Sequence, residues 1–119
     1  FNAVATENKA FNIVWDGQVW DLDLWGIPTG APNKDAAWEF IKFSTDTQRL
    51  ADQASWISYG PARKSSAPLV GNHAVAGIPM GPHMPTAPEN FGNAIQNDFA
   101  FWADYQDELT VRFNTWLAR

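Results

Sequence analysis

The chain has 119 residues, 45% of them hydrophobic, and a formal charge of −5. That length is enough for one domain with a core, and that composition excludes general disorder. The acidic balance, with basic residues scattered and only Arg63 and Lys64 adjacent, argues against a nucleic-acid partner and suits a cationic ligand.

The chain opens without a signal peptide, and Phe1 in place of an initiator methionine suggests a mature or excised piece. The first 28 residues read as extended structure. Phe11 to Trp15 is strand-like, Asp16-Gly17 is a hairpin signal, and Gln18 to Trp25 is the returning strand. Ile27-Pro28-Thr29-Gly30 ends it. A helix follows, with Asn33 as N-cap and Asp35 in the first turn. Thr45-Asp46-Thr47-Gln48 reads as a capping box that opens a second helix, through about Ala54. From Ser58 to Pro88 the spacing of Gly, Pro and Ser predicts loop, with a short helix near Arg63 to Val70. Thr86-Ala87-Pro88-Glu89 is another capping box. The last helix, from about Asp98 to Leu117, sets Trp102, Tyr105, Leu109, Phe113 and Trp116 in one stripe.

Seven tryptophans stand out in the composition. Tryptophan is usually largely buried with its N–H satisfied, so Trp38, Trp102 and Trp116, at helical spacing, are expected in the core. No run is long and apolar enough to span a membrane. The chain lacks cysteine, which removes disulfides and thiolate chemistry and leaves the compartment open. His73 and His83, ten apart in a loop-rich stretch, lack the close pairing of a metal-ligand motif and read as surface residues. Nothing asks for a cofactor, a metal or a catalytic residue.

The stretch VWDLDLWGIP, residues 19 to 28, concentrates the chemistry. Along an extended strand Asp21, Asp23 and Trp25 share one face, and Trp20, Leu22 and Leu24 the other. Burying two carboxylates without a positive partner is costly, so this face is wet or carries something cationic. A carboxylate pairs an ammonium through charge-assisted hydrogen bonds, and a tryptophan face adds about 0.5–2 kcal/mol of cation–π attraction.

The ordered strings WDGQVWDLDLWGIPTGAPNKDAAWEFIKF, ISYGPARKSSAPL, MPTAPENF and FWADYQDELTVRFNTWLAR together resemble the C-terminal portion of the polyamine-binding solute receptors of bacterial ABC transporters. The resemblance runs from about Ile13 through nearly all of the chain. It implies an α/β fold, the C-terminal part of a two-lobed type II periplasmic binding protein, incomplete as a stand-alone domain. Residues 1–23 would belong to the second lobe, 24–67 to the first, and 68–119 to the second again. VWDLDLWGIP would then be a strand crossing the hinge, with its acids facing the ligand cleft.

The family's ammonium-binding aspartate, five residues before the proline of the Ile-Pro pair, falls on Asp23. The tyrosine of Tyr-Gly-Pro, another family contact, is Tyr59. Where some polyamine receptors place a stacking tryptophan this chain has Asp21, with the aromatic displaced to Trp20. The implied ligand is a small amine, either a polyamine such as putrescine or spermidine or an ω-amino acid such as γ-aminobutyrate. The implied partner is a membrane permease, the implied location is the periplasm, and folding would need the rest of a parent chain or a swapped copy.

Two other readings remain open on the residues. Paired carboxylates beside tryptophans also describe a carbohydrate-binding or glycoside-hydrolase cleft, although the acids of such enzymes flank the bond from opposite sides. In a purely structural reading, Asp21 and Asp23 are solvated or salt-bridged to Arg63 or Lys64.

Overall fold

A computed structural model describes residues 1–119. In chain order it has helix α1 (Asn2–Ala5), strand β1 (Val19–Trp20), helices α2 (Lys34–Ser44) and α3 (Thr47–Ala54), 3-10 turns at Ala67–Leu69 and Gly81–His83, strand β2 (Ile95–Gln96) and the long helix α4 (Phe99–Leu117).

The longer helices begin where local chemistry sets them. The Asp98 carboxylate accepts from the N–H groups of Ala100 and Phe101, which α4 would otherwise leave unpaired. Asp46 does the same for α3 through Gln48 N–H, so the cap lies one residue later than the expected Thr45. The Thr45 hydroxyl instead donates to the Ile41 carbonyl at the end of α2. Asn33 precedes α2 without a side-chain cap bond, while Asp35 and Lys42 complement the dipole of that helix. The expected helix near Arg63 to Val70 shortens to the single turn Ala67–Leu69.

The expected hairpin does not form. Asp16-Gly17 does turn: Gln18 N–H reaches the Trp15 carbonyl at 3.1 Å, and Gly17 sits at φ +68°, where a Cβ would be strained. But Asn93 occupies the turn, accepting from Gly17 N–H and donating to Asp16. The returning segment pairs with β2 in parallel, Val19 opposite Ile95 and Trp20 opposite Gln96. Phe11 to Trp15 is left without a ladder, and α1 lies in a stretch expected to be extended. Beyond Trp20 the ladder stops, because its partner segment turns into the Asp98 cap of α4.

The second capping box is also overridden. Thr86 to Glu89 forms turns, not a helix, because buried Asn90 donates from Nδ2 to the carbonyls of Pro82 (3.0 Å) and Met84 (2.9 Å) and folds the segment back on itself. Nearby lies the small core: Ala54, Met80 and Met84, with Phe1, Val70 and Ala87 packed around them. His73 is buried beside it rather than on the surface. Its Nδ1 accepts from Ala76 N–H at 3.0 Å, while its backbone N–H bonds the Ile78 carbonyl. No buried side-chain nitrogen or oxygen lacks a partner.

The tryptophan expectation fails for a related reason. Trp38, Trp102 and Trp116 are 49%, 42% and 64% exposed, and along the whole of α4 only Leu109 reaches partial burial. The accessible surface is 9336 Å², against about 6,500 Å² for a self-contained monomer of this mass. The radius of gyration is 17.9 Å, against about 13.5 Å for a closed domain of this length. Parallel strands normally carry cover on both faces, yet Val19 and Ile95 are exposed here. The apolar faces are regular, but nothing in this chain lies opposite them. No helix is long and apolar enough to cross a membrane.

Candidate functional site

In open parallel sheets the crevice beyond the carboxyl ends of the strands is the usual ligand position. Here β1 ends at Trp20 and β2 at Gln96, on the same edge, so Asp21 and Asn97 leave the sheet side by side. The Asn97 N–H bonds the Trp20 carbonyl at 2.9 Å, and its side-chain Nδ2 donates to Asp21 Oδ2 at 2.7 Å. Asp21 Oδ1 accepts from Leu22 N–H at 2.7 Å. An open groove of 410 Å³ runs past this edge, lined by Gln96, Asn97, Asp98, Phe99 and Ala100. A second hollow of 260 Å³, apolar and lined by Phe1, Val4, Phe11, Ile13 and Trp15 among others, carries none of the acids.

Asp23 lies two residues beyond Asp21, exposed and free of hydrogen bonds to the rest of the chain. No basic side chain answers either acid: the ion pairs are Lys42–Glu39, Arg49–Asp52 and Arg112–Glu108. Arg63, one suggested partner, donates instead to the Thr45 carbonyl beyond the end of α2. The salt-bridged version of the structural reading therefore falls. Trp20 is half-buried and packs its ring on Phe91 at 5.8 Å, while Trp25 meets the edge of Phe40 on α2 at 5.2 Å.

Residues far apart in sequence are drawn together behind this edge. Gln18 Nε2 donates to the carbonyls of Pro85 (2.9 Å) and Asn90 (2.7 Å), joining the strand to the Thr-Ala-Pro-Glu-Asn stretch. That stretch in turn meets Tyr-Gly-Pro. A Cβ on Gly60 would overlap the Thr86 side chain, reaching even Thr86 Cβ at 2.7 Å. Tyr59 itself is 57% exposed, and no hydrogen bond or ring contact joins it to Trp20, Asp21 or Asp23. Of the four residues singled out from sequence, three lie together at the strand end and the fourth does not meet them. The reading from sequence missed Asn97, because its meaning depends on β2, a two-residue strand with no periodicity to announce it.

The family described as bacterial extracellular solute-binding protein matches residues 1–86. The chain belongs to this family. Over 117 residues, 98% of this solute-binding chain, it is 35% identical to the gamma-aminobutyric acid-binding protein of Pseudomonas aeruginosa, of which the match covers 32%. It thus spans about a third of the length of that relative. No solved structure matches it. Both the family and the relative are binding proteins rather than enzymes, which removes the hydrolase alternative.

Proposed function

We propose that this chain is the C-terminal part of an extracytoplasmic receptor for an ABC importer, binding a small amine in a cleft between two lobes. Asp23 is the ammonium partner, Trp20 and Asp21 support it from the strand end, and Tyr59 approaches from the first lobe when the cleft closes. The observation that carries this reading is an uncompensated acid, Asp23, just past the carboxyl edge of a parallel strand pair. A carboxylate there gains most from a cation once closure excludes water.

Among amines, an ω-amino acid such as γ-aminobutyrate is favoured over a polyamine. A relative carrying that ligand's name matches across nearly the whole chain, and Asp21 replaces the stacking tryptophan of some polyamine receptors. The lobe crossings at residues 23–26 and between 67 and 79, the periplasmic location and the permease partner belong to the same reading. So does a need for further polypeptide, or a swapped copy, to cover the faces left open here. A ligand-induced melting screen of the intact receptor tests it. γ-Aminobutyrate should raise the Tm, whereas stabilisation by a neutral sugar alone would replace the amine with a carbohydrate.

A further inference from the structure

We propose that Asn97 is a positioning residue that engages Asp21 and leaves Asp23 as the single carboxylate for the ligand, so that the site takes a molecule with one ammonium group rather than two. This rests on the amine-receptor reading and deepens it. Two acids two residues apart would otherwise offer two ammonium partners, the arrangement a diamine needs. The hydrogen bonds separate them. Asp21 accepts from Asn97 Nδ2 at one oxygen and from Leu22 N–H at the other, both at 2.7 Å, while Asp23 accepts from nothing in the chain.

Asn97 is well placed to hold this difference. Its backbone N–H is fixed to the Trp20 carbonyl, the last bond of the parallel ladder, and the next residue, Asp98, caps α4. The amide is therefore anchored on both sides in sequence, by a strand end and a helix start. An amide donor offsets part of the negative potential of Asp21 without adding a full charge, so the edge still attracts a cation but presents one open carboxylate.

The test is calorimetry on the intact receptor with γ-aminobutyrate and putrescine as probes. Asn97→Ala should release Asp21 and tighten putrescine relative to γ-aminobutyrate about tenfold, the size of one added charge-assisted hydrogen bond. Adding Asp21→Asn to that variant should abolish the gain. An equal change for both probes, or a gain that survives Asp21→Asn, overturns the proposal and leaves Asn97 a structural role only. Should Asn97→Ala fail to fold, Asn97→Leu decides, because it removes the amide donor at nearly the same volume. It should shift the preference toward putrescine in the same way, and an unchanged preference would count against the proposal. A parent receptor that binds neither amine refutes the amine reading itself, and this inference with it.

Discussion

Two regions of this chain contrast sharply. Around residues 16–20, 60, 80–91 and 93–97, short irregular segments are tied by side-chain amides to backbone carbonyls, and little of the cohesion comes from regular ladders. α4 is the reverse: nineteen residues of unbroken helix with a proper cap and an aromatic stripe, and almost nothing packed against it. The contrast shows that local regularity and tertiary attachment are separate properties. The irregular region is held from within this chain, whereas the helix presents an apolar stripe that nothing in this chain covers.

The largest expected effect breaks the contrast from the helix side. In the intact receptor Trp116→Ala should cost about 3–5 kcal/mol in chemical denaturation, as for a large aromatic lost from a core. A cost near zero would mean that the stripe faces solvent there as well. On the other side, Asn90→Ala takes the side-chain donor from the Pro82 carbonyl and one of two donors from the Met84 carbonyl, and should cost about 1–3 kcal/mol. Gly60→Ala should destabilise by a similar amount, about 1–3 kcal/mol, through overlap with Thr86, and Thr86→Gly should recover most of it. Independent effects of those two substitutions would deny the contact. The smallest effect is expected at the one interaction that sets where α4 begins: Asp98→Ala should cost about 1 kcal/mol, measurable as lost helicity and a lower denaturation midpoint.

The three longer helices, α2, α3 and α4, were legible because their signals are local, whereas α1 was not. Asp98, Asp35 and the stripe from Trp102 to Trp116 lie within a turn or two of what they control. The strand pairing was not legible, because Val19 and Ile95 lie 76 positions apart and a two-residue strand has no pattern to read. The Thr86 capping box misled because a local preference of about 1 kcal/mol is outweighed by the two hydrogen bonds of Asn90, one of them buried. The tryptophans misled for a different reason: their spacing reports that a face is apolar, not that its cover belongs to the same chain. At the candidate site, Trp20, Asp21 and Asp23 were found because their chemistry is concentrated in a few residues. Asn97 was not, since an asparagine acquires a role only through the neighbour that folding gives it.

The central claim is that Asp23 is the principal ammonium partner of an amine receptor. Titration calorimetry of γ-aminobutyrate into the intact receptor, parent and Asp23→Asn side by side, tests it most directly. The charge-neutral isostere keeps the shape of the edge and leaves the ligand's ammonium without its counter-ion, so binding should weaken by about 2–5 kcal/mol. If Asp23→Asn binds the amine as tightly as the parent, the carboxylate at the strand end is not the ammonium site and the account is wrong.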